Sequence, residues 1–464
     1  MSSSFTGMME KWLNNEKSQT DKASETTSQS EESTQDKSIV NQLNQLNQDS
    51  LADDDIKVSK LSSYQFNTTK LGRGLSGVNL TNNQNKDSES VDNENINRKN
   101  TKKDNGGGSM PKFEMDRLFI TWLADMNSSL VISSYKTHRL VTIGTARDPK
   151  NGENKSSIWL TNFNRPMGIH TSKDKIWISS SGNLWGYENA GPEIDNVHFG
   201  KYDASYVPRF AYFSNDVDTH DICVDQDGSP YYCSALFSCI CQPSDTHSFK
   251  VFWKPPWISK IAAEDRCHLN GICSRDGTPR YVTSTCQGDV RGSWRENRIG
   301  KGIVFDIKEN KIVCQGLTMP HSPRWFNEKL WVLEAGTGWF GYVNFETQEL
   351  VKKVWIAGYL RGLAFVNEKY AVIGSSEDRH ENCFQELPLG ETMKKNNVTA
   401  KCGVFVIDLE DYTVPHNIRF YSPMDELYDV CVIPNVVRPK IAQFSDDNNM
   451  RKYKIDHGNY ADDN

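Results

Sequence analysis

At 464 residues with 37% hydrophobic content, the chain can bury a sizeable core, and its net charge of −7 argues against a nucleic-acid-binding surface. Short basic pairs such as Lys102-Lys103 and Lys394-Lys395 read as solvated surface. No segment has the length and apolar run of a secretory signal or a membrane span, so a cytoplasmic protein with thiols in the reduced state is expected.

Residues 1–112 are rich in Ser, Asn, Gln, Asp and Lys and poor in aromatic clusters. Such a stretch cannot bury enough apolar surface to offset the entropy of ordering it, so a disordered tail is expected there. Near its start, Met8, Met9, Trp12 and Leu13 share one helical face, which suits a short partner-binding helix. The run Gly106-Gly107-Gly108 reads as a joint before the folded part, expected over 113–439, with a second tail over 440–464.

From about Met115 onward a two-strand unit recurs. Its clearest copy is Met167-Gly168-Ile169-His170, a turn at Ser172 to Asp174, then Ile176-Trp177-Ile178-Ser179. Further copies centre on the turns Asp225-Gln226-Asp227-Gly228, Arg275-Asp276-Gly277, Asn327-Glu328 and Asn367-Glu368, each flanked by alternating apolar runs. Two half-units remain: Leu130-Val131-Ile132-Ser133 lacks a first strand, and Tyr428-Asp429-Val430-Cys431-Val432 lacks a second. Joined, they make a sixth unit. Equivalent positions recur roughly every 40 to 55 residues, enough for four short strands, which is one propeller blade. The expected fold is all-β: a six-bladed propeller closed by strands from both ends of the domain. No sustained helical period appears in it.

All eleven cysteines lie between Cys223 and Cys431 without paired CxxC spacing, and Cys223, Cys233, Cys273 and Cys431 sit in apolar runs as small core residues. Cys267 adjoins His268, but neighbours on a strand point to opposite faces, so adjacency makes no catalytic dyad. The loop Trp253-Lys254-Pro255-Pro256-Trp257 reads as a rigid wall for a pocket.

The segments Glu264-Asp265-Arg266-Cys267-His268-Leu269-Asn270-Gly271 and Met319-Pro320-His321-Ser322-Pro323-Arg324-Trp325 resemble an uncharacterised family, catalogued as a domain of unknown function. The stretches Trp253 to Ser259 and Tyr359 to Phe365 look like it too, and the likeness runs from about Leu118 to Pro434. It implies kinship and brings no settled activity. At the level of fold alone, the hairpins are also similar to lactonase-like and strictosidine-synthase-like propellers.

In a propeller the residues opening the six inner strands converge at one mouth of the channel. Here they are Arg165, His220, Asp221, His268, Asn270, His321, Arg324, Arg361, Glu426 and Asp429, which include three of the ten histidines. Three readings stay open. Asp221, Asn270, Glu426 and Asp429 suit a divalent cation, against which Arg324 and Arg361, at equivalent places in neighbouring blades, would compete. Arg165, Arg324 and Arg361 suit a small anionic ligand, with His220, His268 and His321 as donors or acid/base groups near neutral pH. Each could equally be a buried tether between strands. The function expected is binding of a small polar anion clamped by Arg324 and Arg361, with hydrolase-type turnover resting on His268 and His321 as acid/base or donor groups and Asp221 and Glu426 as the carboxylates that orient them. The rival is a non-catalytic interaction propeller whose tail recruits protein partners.

Overall fold

The computed structural model describes residues 111–194, 201–378, 386–444, 452, 453 and 455. The tail read over 1–112 and its Met8 to Leu13 face lie outside the described residues, as does the greater part of 440–464. Six antiparallel blades follow one another around a closed ring. The first combines strands from the two ends of the domain: Asp429–Pro434 is innermost, then Ser128–Ser134, Arg139–Arg147 and Asn154–Asn162. Closure rests on an unbroken ladder from Ser133 opposite Asp429 to Ser128 opposite Pro434, with Ile132 facing Val430.

The other inner strands are Ile169–Thr171, Thr219–Val224, Leu269–Arg275, Pro320–Phe326 and Tyr359–Val366, opening the second to sixth blades. Each is followed by its hairpin partner, as the turn chemistry predicts; His170 lies opposite Trp177, Ile222 opposite Tyr232, and Cys273 opposite Tyr281. The blades meet through their side chains. Between the fourth and fifth, Tyr281, Val304 and Cys314 pack with Leu330, Val332 and Val343. Fully burying a side chain of the Val or Leu kind contributes about 1.5–3 kcal/mol, so these seams hold the ring together.

Both ends of the propeller domain add a fifth strand to an outer edge. Phe113–Met115 pairs with the sixth blade, and Pro439–Ile441 runs parallel to Ala204–Tyr206 of the second, two residues beyond the expected boundary at 439. Exposed edges are thereby covered. Among the described residues two α-helices interrupt the β architecture: α1, Phe119–Asp125, buries Phe119, Trp122 and Leu123, and α2, Pro388–Lys395, buries Leu389 and Met393. At two turns each, they are too short for a periodic pattern to stand out in the sequence. Among the described residues no helix is long and apolar enough to cross a membrane.

Candidate functional site

Four inner strands carry a register shift near their mouth end: between Thr219 and Ile222, Leu269 and Gly271, His321 and Arg324, and Arg361 and Leu363. A bulge leaves a residue out of the ladder and re-aims its side chain. Here the result is convergence. His220, His268 and Arg361 line a cavity of about 420 Å³ with Tyr135, Tyr359, Tyr428 and Trp294. Below it the channel narrows to about 10 Å³, room for a single water, between His220, His321, Arg361 and Tyr428.

Left-handed backbone recurs at this mouth, as it does at turns elsewhere in the domain. Arg165, Asp218, Asp265, His268, Met319 and Ser322 all have left-handed φ between 44° and 54°. Each costs on the order of 1 kcal/mol and persists only where the surroundings over-determine it. Two of them do the same work. Left-handed Asp218 turns its carbonyl onto His220 Nδ1 at 3.0 Å, and left-handed Met319 does so for His321 Nδ1 at 2.9 Å. A carbonyl only accepts, so Nδ1 carries the proton and Nε2 presents a lone pair. Burial pushes His220 down to about 4 and His321 well below the usual histidine value, so both are neutral at pH 7.

His268 is held differently. Its Nδ1–H donates to Asp265 at 3.1 Å, and Trp294 Nε1 donates to the same carboxylate at 2.6 Å. The Trp294 ring stacks on the imidazole with centroids 4.1 Å apart, and His220 meets it edge-on at 4.8 Å. Burial works against the Asp265 carboxylate, but the His268 and Trp294 hydrogen bonds hold it below the ordinary range. Arg361 is 5% exposed, sits over the Tyr428 ring at 4.5 Å, and has no ion pair among the described residues. Its Nε and the Nε2 of His321 are buried without a hydrogen-bond partner there. Beside it, Gly362 has φ +75°, and a Cβ would lie 2.3 Å from Val430 N, so only glycine lets the sixth inner strand press against the first.

Of the remaining candidates, Arg165 reaches this cavity from the rim, Asp221, Asn270 and Asp429 border the constriction below it, and Arg324 and Glu426 line neither. Arg324 and Arg361 do not occupy equivalent places: Arg324 lies opposite Trp331, whereas Arg361 lies opposite Gly374, nearer the mouth. Arg324 instead reaches across the channel to Asp221, Nη1 to Oδ2 at 2.8 Å and Nη2 to Oδ1 at 3.1 Å, and donates Nε to the Leu363 carbonyl. Asp221 also accepts from the backbone N–H of Ile222 and Ile272. It therefore ties three blades rather than orienting a histidine. Asp429 accepts from Ile169 and Val430; burial foremost, with Asp221 nearby, lifts it to about 7.

Glu426 accepts from Ser134 and from the Lys136 backbone. Asn270 is bonded to Thr283 and Thr285 of its own blade. Arg165 stands at the rim, half-exposed, paired with Asp216 at 2.7 Å. The four proposed cation ligands are thus engaged by protein groups. Among the described residues no cluster of three or more His, Cys, Asp or Glu is arranged to hold a metal ion.

Cys267 is buried, with burial pushing its thiol up to about 11. Trp253 and Trp257 pack on Phe305 between blades, away from the cavity. Sequence reasoning missed Asp265, Trp294, Tyr359 and Leu387. Only Asp265, three residues before His268, offered a signal.

No curated protein matches the chain. Among solved structures it is similar to virginiamycin B lyase from Staphylococcus aureus (13% identity, 53% of this chain and 73% of that one, TM-score 0.30). It is also similar to AztD from Citrobacter koseri (9%, 67% and 87%, 0.32) and to a protein assigned as a gluconolactonase (10%, 55% and 87%, 0.31). Over residues 117–442, nearly the whole propeller, the sequence matches the profile of a domain of unknown function, DUF4915, and the chain belongs to that family.

Proposed function

We propose that the protein binds a small anion in the mouth cavity, with Arg361 as the anion clamp and His268 as an acid/base group acting on the bound molecule. The observation that carries this reading is the Nε of Arg361, buried without a hydrogen-bond partner on a guanidinium that makes no ion pair among the described residues. Leaving a buried charged donor unmet is costly, and such a group is normally hydrogen-bonded. A carboxylate or phosphate entering the cavity would meet it, bidentately if the approach is planar.

His268 is suited to proton transfer because Asp265 fixes its tautomer, leaving Nε2 as the basic nitrogen. Asp265 thus takes the orienting part that the sequence reading gave to Asp221 and Glu426. Turnover by attack of water on an ester or lactone is compatible with that arrangement.

Melting curves of the purified protein with inorganic phosphate, hydroxy acids, sugar phosphates, lactones and divalent ions test the reading. An anion that binds only the native state must raise the melting temperature, by an amount that grows with its concentration. That rise should vanish in Arg361→Met. In His268→Ala, binding should persist while any turnover stops. If no anion shifts the curve, or the shift survives in Arg361→Met, the clamp is wrong.

A further inference from the structure

The atoms around Arg361 also restrict what the rest of the ligand can be. Two of the three histidines at the mouth donate Nδ1–H to a backbone carbonyl, Asp218 for His220 and Met319 for His321. Both therefore present a lone pair, not an N–H, on Nε2, and both line the water-sized constriction that they share with Arg361. His268, tied through Nδ1 to Asp265, adds a third such nitrogen in its neutral form. Of these, His321 Nε2 is fully enclosed and unmatched.

An anion alone satisfies Arg361 and leaves these acceptors facing one another or facing its own oxygens. The occupant must bring donors as well. Those donors are neutral, because Arg165, Arg298 and Arg361 all line the cavity, whose one lining carboxylate among the described residues is Asp218, and the oxygens of Asp221 and Asp429, which border the constriction, are already met by Arg324 and backbone N–H groups. An ammonium group would be repelled there. The walls are the rings of Tyr135, Tyr359, Tyr428 and Trp294, surfaces that pack against C–H groups while their neighbours take polar ones.

Resting on the anion-binding reading above, we infer that the ligand is a polyhydroxylated anion, an acidic sugar derivative whose hydroxyl groups donate to the Nε2 atoms of His220 and His321 while its charge meets Arg361. Carboxylate and phosphate share the chemistry that Arg361 recognises, and matched probes separate them. The neutrality that burial imposes on both histidines keeps the acceptors in place across neutral pH.

The experiment is calorimetric or thermal-shift titration of the full chain with matched pairs. Gluconate is set against hexanoate, galactarate against adipate, and glucose 6-phosphate against hexyl phosphate, with N-acetyl-β-alanine as an anion carrying an amide donor and no hydroxyl. At least one hydroxylated member should bind about tenfold or more tightly than its deoxy partner, since each lost donor leaves a buried acceptor unmet. His321→Phe should erase that preference by weakening the hydroxylated member alone. His220→Phe provides the same test from the other side, should His321→Phe fold poorly.

Equal affinity within every pair, or tight binding of N-acetyl-β-alanine, overturns the inference while leaving the anion site standing. Binding of neutral glucose with no response to any anion overturns both. A preference that survives in both phenylalanine variants also overturns the inference, since the hydroxyls are then read elsewhere.

Discussion

The mouth and the waist of the channel are built from the same residue types and end in opposite states. At the waist, Arg324 and Asp221 meet through two hydrogen bonds, and every remaining oxygen of Asp221 and Asp429 is met by a backbone N–H. At the mouth, Arg361 has aromatic rings beside it but no ion pair among the described residues, and the Nε2 of His321 is buried there without a partner. A closed polar network ties blades together; an open one waits for a partner. The waist belongs to the fold, and the mouth is where a ligand would contribute the missing bonds.

If that division holds, breaking the waist should give the largest loss of stability in the channel. Asp221→Ala leaves the Arg324 guanidinium, 17% exposed, without its carboxylate and strips the Ile222 and Ile272 N–H groups of their acceptor. Removing one partner of a buried pair typically costs about 3–5 kcal/mol. Urea unfolding should show a drop of this order, carried by the midpoint with an unchanged slope. A loss under about 1 kcal/mol would mean that the waist is not the tie described here.

The contrast also explains what could be read in advance. The hairpin units were legible because each alternates with period two around an Asp-Gly or Asn-Glu turn, and closure was legible because Val131 and Val430 sat in half-units with nothing else to pair with. Depth along the channel was not. The bulges after His321 and Arg361 change the count between a strand's start and its position, so Arg324 and Arg361 look equivalent in sequence and are separated in space. The part played by Asp265 was hidden for a related reason. It depends on Asp265 and His268 both adopting left-handed φ, which residues other than Gly seldom do and which no local pattern announces. Convergence of the three histidines survived these errors because it depends only on which loops enter the ring.

A second, smaller effect separates the two levels by pH. The folded-state values of His220 and His321 lie below their unfolded values, so the unfolded chain takes up protons that the folded chain refuses. Their stabilising contribution is present above about pH 6.5 and is lost as pH falls toward about 4 for His220, and lower for His321. Asp429 has the opposite sign: its folded value is raised to about 7, so its contribution is present at low pH and lost as pH rises from about 4 through 7. Between pH 4.5 and 6, each of the two histidines should add up to about 1.4 kcal/mol of stability per pH unit, partly offset by Asp429. Replacing His220 and His321 together by Phe should reduce the slope of stability against pH by up to twice that amount. Replacing Asp429 by Asn should steepen it. Chemical denaturation repeated across this window reads both, and slopes unchanged in the variants would remove the neutral histidines from the mouth.

The smallest expected effect on stability is the most informative one. Arg361→Leu deletes a buried cation that has no ion pair among the described residues, and it puts apolar surface against Tyr359 and Tyr428. If Arg361 were a tether like Arg324, its loss would cost several kcal/mol. As an open clamp, it is a group that the empty protein carries at a cost, so the variant should be neutral or more stable by up to about 1 kcal/mol, as is usual where a site trades stability for function. The same protein should no longer respond to any anion that stabilises the parent. Unchanged or improved unfolding together with a lost ligand response can arise only if the guanidinium serves the ligand and not the ring, whereas a large destabilisation would place Arg361 with Arg324 among the ties of the fold.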